Sequence, residues 1–577
     1  QNYTTEHDIY DATGFLTTLV RRHADGSLAF KLLQSKDGTK TTDWYDAAGN
    51  LTSETLQKAD GFNSTTLYSN GLKTKAYVKN ADGSQDNYSY GVTGQSYSTL
   101  IQHVDASGKV TAVTRKHADG TLDYTQVING DGSSAVSNYD AAGNKTKETD
   151  THADGSKDLY LYNITGQAYA TEHDVYDATG FLTTLVRRHA DGSLAFKLLQ
   201  SSDGTKTTDW YDATGVLTSD VVQKSDGYNA TTVYKNGVKT SLFVTNADKS
   251  SDVYSYNVAD QTYTTQHQHL DASGKVTAVT RSHADGSLDY TQVINPDGSS
   301  IAVNYDGAGV KTTETDHHAD GSRDVFLFNV AGQNYTGEHD SYDTTGFLTS
   351  IDRTHGDGSL AFKLAQSTDG TKTTDWYDQT GSLTSEVVQK SDGYNATTTY
   401  KNGVKMNAYI TNADHSQDNF SFNITGQTYT TQHQHLDASG TLTSLTRTHA
   451  DGTLDYTQVI NNDGSKLTDV YDSAGSKTQE IASNTDGSKD VFLFNFNGQQ
   501  GTVQHERYNA ANALQFFDVA KADGTHNVTA AASGVTIAGG NGNDVFSSAP
   551  GTTTISYDHG HDQIVNFHAG DVANHDT

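Results

Sequence analysis

The chain has 577 residues, 39 Lys and Arg against 70 Asp and Glu, a net charge of −31, no Cys, two Pro and 53 Gly. The missing Cys excludes disulfide frameworks and thiolate metal sites, the acidity opposes binding to phosphate backbones, and no run of about 18 apolar residues offers a membrane-spanning helix. Hydrophobic residues make up 34%, below the ~45–50% of ordinary globular domains, but 33 Tyr and 19 Phe in alternating patterns argue for packed β structure over disorder.

The chain opens at Gln1 with neither Met nor a basic-then-apolar leader, which reads as a fragment or a processed product. Its organisation is repetitive. Gln1-Asn2-Tyr3-Thr4-Thr5-Glu6-His7-Asp8 returns at Gln167 and again at Gln333, which sets a 166-residue period. Residues 1–47 and 167–213 differ only at positions 2, 4, 9 and 36 of the first copy. The units are 1–166, 167–332 and 333–498, followed by a degenerate partial repeat over 499–534 and a distinct tail over 535–577. Inside each unit a weaker echo begins at Gln95, so the halves, 1–94 and 95–166, are unequal. The 22-residue difference corresponds to the segment carrying Gly71 and Gly83, which predicts one extra β-hairpin in the first half.

Turn-type glycines recur at a nearly even spacing from Gly14 to Gly166. Ala24-Asp25-Gly26-Ser27 and Lys36-Asp37-Gly38-Thr39 place Asp before Gly, a strong hairpin signal because Gly accepts positive φ and Asp bonds the local backbone. Between turns, segments such as Thr121–Ile128 alternate with period two, which predicts strands of about eight residues and no amphipathic helix. Both prolines, Pro296 and Pro550, fall at loop positions. A sheet built of so many strands should coil or close on itself. The expected fold is all-β: an elongated antiparallel β-hairpin repeat array, wrapped or superhelical, with a short β-roll-like C-terminal segment.

Two resemblances add to this. Tyr10-Asp11…Gly14-Phe15-Leu16, Tyr45-Asp46…Gly49-Asn50-Leu51 and Tyr211-Asp212…Gly215-Val216-Leu217 resemble the YD repeats of Rhs and teneurin-type proteins, which wrap a long antiparallel ribbon into a shell. Spacing departs from that pattern, with a 35-residue step from Asp11 to Asp46 and a 59-residue step from Asp46 to Asp105. In the tail, Gly539-Gly540-Asn541-Gly542-Asn543-Asp544-Val545-Phe546 resembles the nonapeptide of RTX (hemolysin-type) calcium-binding proteins. His559-Gly560-His561-Asp562-Gln563-Ile564 repeats part of it, with Asp562 in the place of Asp544 after an 18-residue step. The register at Thr553 lacks the motif. The resemblance implies Ca²⁺ held among Asn541, Asn543, Asp544, His559, His561 and Asp562, and a secreted bacterial protein exported by a type I system to the extracellular space, with further sequence beyond Thr577.

Catalytic signatures are absent: there is no H-E-x-x-H, P-loop or G-x-S-x-G motif. All three Trp occupy one repeat position, Trp44-Tyr45, Trp210-Tyr211 and Trp376-Tyr377, where an indole either stacks on a sugar ring or plugs the sheet. His7, His173 and His339 recur in Glu-His-Asp, as a general base, a weak metal ligand or half-exposed strand residues. Arg22-His23 and Arg188-His189 precede turns and read as solvated. Near-identical units imply near-identical surfaces, which suits structure, adhesion and avidity better than one asymmetric active site. The expected function is a structural or adhesive extracellular role, as stalk, matrix or filament component. A carbohydrate-binding region of a larger polysaccharide-active enzyme and a polysaccharide lyase or hydrolase are the alternatives. Extracellular polysaccharide, a cell-surface or matrix component and other copies of the chain are the expected partners.

Overall fold

A computed structural model describes residues 2–495, 502–557 and 560–575. Within them the chain forms two compact units, Gln1–Asp289 and Tyr290–Thr577. No helix among the described residues is long and apolar enough to cross a membrane. Every regular element among them is a β-strand.

The first repeat shows the plan. Its strands are β1 (Thr5–Tyr10), β2 (Leu16–Arg22), β3 (Leu28–Gln34), β4 (Lys40–Tyr45), β5 (Leu51–Gln57), β6 (Asn63–Ser69), β7 (Leu72–Lys79), β8 (Gln85–Tyr90), β9 (Thr99–Val104), β10 (Val110–Lys116), β11 (Leu122–Ile128), β12 (Ser134–Tyr139), β13 (Lys145–Thr151) and β14 (Lys157–Leu161). Each pairs antiparallel with the next in the chain, as in β1–β2, β2–β3 and β3–β4. The pattern repeats along residues 167–289, and again in the second unit up to the pair Leu514–Ala520 with His526–Ala530. β13, the counterpart of β5, leads directly to β14, the counterpart of β8, so the hairpin β6–β7 is the 22-residue insertion.

Strands of the array run five to eight residues, most of them shorter than the expected eight, because most of the turns take five residues. In the turn after β1, the Asp11 amide donates to the Phe15 carbonyl at 2.9 Å and the Gly14 amide to the Asp11 carbonyl at 3.0 Å. Asp11 Oδ1 also accepts from the amides of Thr13 and Phe15 at 2.7 and 3.1 Å. Gly14, at φ +85, completes the bulge that lets such a loop match the strand twist. In the turn after β2, Asp25 caps instead the amide and hydroxyl of Ser27 at 2.9 and 2.6 Å. Between β6 and β7, Asn70 and Gly71 at φ +52 and +81 make a two-residue turn, the conformation that Asn-Gly favours.

The array has little enclosed interior. Leu32, Leu198 and Leu364, equivalent in the three repeats, are buried, but most strand positions are half-buried on both faces. The fully enclosed side chains Val528, Ile537, Asp544, Phe546, Thr553 and Ile555 all lie in the C-terminal segment. There the strands Val535–Ala538, Val545–Ser547, Thr553–Tyr557, Gln563–Val565 and Val572–His575 pair in parallel. Val545 lies opposite Gln563, and Val535 opposite Thr553, the same 18-residue step in each case. One such winding thus gives one strand to each of two parallel sheets, the β-roll expected from the tail. His526–Ala530 is the joint: it pairs antiparallel with Leu514–Ala520 and parallel with Val545–Ser547.

Candidate functional site

Two arrangements stand out, one in the roll and one along the array. In the roll, glycines stack with an 18-residue step. A Cβ at Gly542 would overlap the Gly524 carbonyl, and one at Gly560 would overlap that of Gly542. Carboxylates follow the same step. Asp544 Oδ1 accepts from the His526 amide at 2.7 Å, and Asp562 Oδ1 from the Asp544 amide at 2.9 Å. Their second oxygens, Asp544 Oδ2 and Asp562 Oδ2, are buried without a hydrogen-bond partner. Gly539 lies against Asp544 Oδ2 where any Cβ would clash. Two buried carboxylate oxygens with open valence beside a glycine cradle are a hard-oxygen donor set that fits Ca²⁺. Among the described residues no three His, Asp or Glu side chains converge as a metal-binding group. A cation there would therefore rest on Asp544, Asp562 and backbone carbonyls. Asn541, Asn543 and His561 are exposed, and the Asn543 side chain accepts from the His561 amide at 2.7 Å. His559 lies outside the described residues.

Along the array, period two decides which charges meet. His173 does not bond its sequence neighbours Glu172 and Asp174, because these point to the opposite face. Its Nε2 lies 2.8 Å from Asp158 Oδ1 on the adjoining strand, and its ring stacks on Tyr160 at 4.1 Å. His339 repeats this on Asp324 at 3.0 Å, while His7 is exposed. In the other half-repeat, Asp252 receives both His267 and His269 at 2.8 Å, and Asp418 receives His433 and His435 at 2.7 Å. Burial raises Asp252 and Asp324, but hydrogen bonds outweigh it, from Asn246, His267 and His269 on the first and Ser341, His318 and His339 on the second. Each ends at about 2. The acceptor Asp residues were legible in their 166-residue recurrence at 86, 252 and 418 and at 158, 324 and 490.

The turn histidines are not merely solvated. His189 reaches two backbone carbonyls, Ala168 through Nδ1 at 2.8 Å and Asp212 through Nε2 at 2.9 Å. His355 does the same with Asn334 and Asp378, and His449 with Thr428 and Asp472. A carbonyl only accepts, so a doubly protonated ring satisfies both contacts and a neutral ring one. The bonds to Thr428 and Asp472 raise His449 above the ordinary histidine value, against an opposing effect of burial.

Each Trp meets a Phe edge-on: Trp44 with Phe30 at 4.6 Å, Trp210 with Phe196 at 5.5 Å and Trp376 with Phe362 at 5.8 Å between ring centres. The indoles remain 49, 43 and 39% exposed, so none is a buried plug. The adjoining Tyr45, Tyr211 and Tyr377 are half-buried and bond Asp43, Asp209 and Asp375.

The molecule is thus an all-β protein in which a tandem hairpin array joins an 18-residue-step parallel roll. No family profile matches the chain, and no curated protein matches it. Among solved structures, the crystal structure of TcdB2-TccC3 matches at 11% identity and a TM-score of 0.11, covering 90% of this chain and 39% of that one. The same complex without its hypervariable C-terminal region matches at 13% identity and 0.11, covering 89% of this chain and 31% of that one. A Photorhabdus luminescens Tc holotoxin pore matches at 12% identity and 0.10, covering 89% and 33%. The chain therefore spans about a third of the length of those structures. TM-scores at that level carry no argument about shared fold or function.

Proposed function

We propose that this chain is a secreted bacterial repeat protein with a structural or adhesive extracellular role, a stalk, matrix or filament component whose terminal roll is stabilised by Ca²⁺. The observation that carries the reading is strand-for-strand repetition. The same turns, rungs and exposed side chains recur at 166-residue intervals, as with Leu32, Leu198 and Leu364 or Trp44, Trp210 and Trp376. Repetition multiplies weak contacts into avidity and adds length. Extracellular polysaccharide, a cell-surface or matrix component and other copies of the chain are the partners this suits, and export through a type I system follows from the RTX resemblance of the tail.

Ca²⁺, when bound, would supply the positive charge that offsets the buried carboxylates. The chain's own part is structural: Asp544 and Asp562 tie each winding to the one before, and Gly539, Gly542 and Gly560 leave room for close backbone approach. Two measurements test the reading. Beads coated with the full chain should be retained on exopolysaccharide-coated surfaces, and retention equal to bare beads refutes adhesion. Millimolar Ca²⁺ should slow amide exchange over residues 526–575 relative to chelator, an effect lost in Asp544→Asn with Asp562→Asn; equal exchange in both conditions refutes the calcium reading.

A further inference from the structure

We propose that the half-exposed indole of each repeat, with the aromatic and cationic rungs beside it, binds a neutral pyranose chain, giving equivalent sites at Trp44, Trp210 and Trp376. This names the ligand class for the adhesive reading and rests on that reading only for access to polysaccharide.

The register builds the site. Trp44 on β4 lies between Phe30 on β3 and Ser53 on β5. The same holds for Trp210 between Phe196 and Ser219, and for Trp376 between Phe362 and Ser385. Phe supports one side of the indole, and the small Ser leaves the other uncovered. Beyond Phe, an arginine is clamped between two rings: Arg21 over Tyr3 at 4.6 Å and Phe30 at 5.2 Å, Arg187 over Tyr169 and Phe196 at the same distances, and Arg353 over Tyr335 at 4.8 Å and Phe362 at 4.9 Å. In the first repeat these groups open on a cavity of about 720 Å³ that is also lined by His23, Tyr45 and Asp46. An apolar ring face rimmed by hydroxyl, imidazole and carboxylate groups suits a pyranose, which has an apolar C–H face and a polar edge.

The molecule carries its own control. The second half of the repeat rebuilds the arginine clamp, with Arg115 over Tyr97 at 4.9 Å and Tyr124 at 4.6 Å. The residue opposite Tyr124 is Asn138, where the first half has Trp44. Its counterparts in the later repeats are Asn304 and Val470. The hairpins therefore close without Trp at this position, and indole is kept only where it stands beside Ser.

Charge selects a neutral ligand. Each arginine is already paired, Arg21 with Glu6 and Arg187 with Glu172 at 2.5 Å, and Arg353 with Glu338. With a net charge of −31, the chain repels polyuronates.

These three are the chain's only tryptophans, so selectively excited indole emission reports the proposed sites alone. The full chain is titrated with cellohexaose, mannohexaose, laminarihexaose and a hexauronate. At least one neutral hexasaccharide should shift emission to the blue and roughly halve acrylamide quenching, with the hexauronate inert. Trp44→Ala, Trp210→Ala and Trp376→Ala combined should weaken binding at least about tenfold with the melting temperature of the array retained. Should that variant fail to fold, Ser53→Leu, Ser219→Leu and Ser385→Leu combined keep the rings but cover them and should abolish the response. The proposal is overturned if no neutral hexasaccharide moves the emission, if the hexauronate binds better, or if either triple variant folds and binds as the parent does. Bead retention on exopolysaccharide without any emission response to the hexasaccharides refutes the indole sites alone, whereas loss of both refutes the adhesive reading as well.

Discussion

Phe546→Ala tests where the stability of this chain resides. Phe546 is fully enclosed, packed with Val528, Ile537 and Ile555 and flanked by Phe516 and Ile564. Removing a buried Phe typically costs about 3–5 kcal/mol, transfer and cavity effects together. The roll from His526 to His575 comprises about 50 residues, which at ~0.05–0.15 kcal/mol per residue gives about 2.5–7.5 kcal/mol of local stability. The substitution therefore removes about two fifths of it or more. The array should not respond, because its strands pack mainly on the strands beside them in the chain and distant perturbations add independently. Two probes separate these regions: hydrogen exchange over 526–557 reports the roll, and the three indoles, none beyond residue 376, report the array. The expected result is loss of exchange protection in the roll with an unmoved Trp melting transition. Unchanged protection in the roll, or a Trp transition displaced as far as the roll's, would refute the reasoning.

Other perturbations follow from the same geometry. Gly542→Ala sets a methyl against the Gly524 carbonyl and within 3.2 Å of Thr525 Cα, backbone atoms that cannot swing aside; it should cost about 1–3 kcal/mol or more in the roll, read as lowered exchange protection between 526 and 547. Raising pH should loosen the turn that His449 bridges. Its folded value is raised above 6.5, so its contribution is complete below that value and is lost as pH rises through the folded one; amides of residues 449–453 should exchange faster at alkaline pH than base catalysis alone explains, and not so in His449→Gln. Gly71→Ala forces a side chain onto φ +81 in the tightest turn of the first repeat and should destabilise the β6–β7 hairpin, seen as faster exchange confined to 63–79.

Much of the fold was legible because its signals are local. Asp-Gly and Asn-Gly turns at regular spacing define hairpins whatever lies around them, and the unequal halves of the repeat are enough to locate the hairpin β6–β7. The tail motif likewise carried its 18-residue step into the parallel register of Val545 with Gln563. What stayed illegible was which side chains meet across strands. His173 stands between two acids in sequence and bonds neither, since alternation turns them away and the turn geometry brings Asp158 beside it. The turn histidines escaped for a related reason: their partners are backbone carbonyls 21 and 23 positions away, which leave no mark in residue identity. Strand length was overestimated because the pair that closes each turn belongs to the loop.

The charge itself divides into two populations with opposite responses to acid. Turn carboxylates such as Asp11, Asp25 and Asp119 are held below the ordinary aspartate value, first by side-chain donors, Lys36, Ser27 and Thr121 respectively, then by further hydroxyl and backbone amide donors in the turn. Strand carboxylates that accept no histidine hydrogen bond, such as Asp43, Asp174, Asp220 and Asp375, are pushed up, chiefly by burial and then by a neighbouring acid, Glu54, Glu172, Asp209 and Glu386, whereas the histidine-bonded strand residues Asp252 and Asp324 fall with the turn group. A raised carboxylate penalises folding at neutral pH, and the penalty is relieved as pH falls through its folded value. A lowered one stabilises above its unfolded value, and that contribution is lost only as pH falls through its folded value. The first change precedes the second on acidification, and His449 adds stability on the same side of neutrality. Stability should therefore rise as pH falls below neutrality, and then be lost on further acidification as the turn carboxylates protonate. Denaturant midpoints of the Trp transition measured from pH 3 to 9 decide it: a maximum at neutral or alkaline pH would mean that the strand carboxylates are solvated and the sheet faces carry their charge openly.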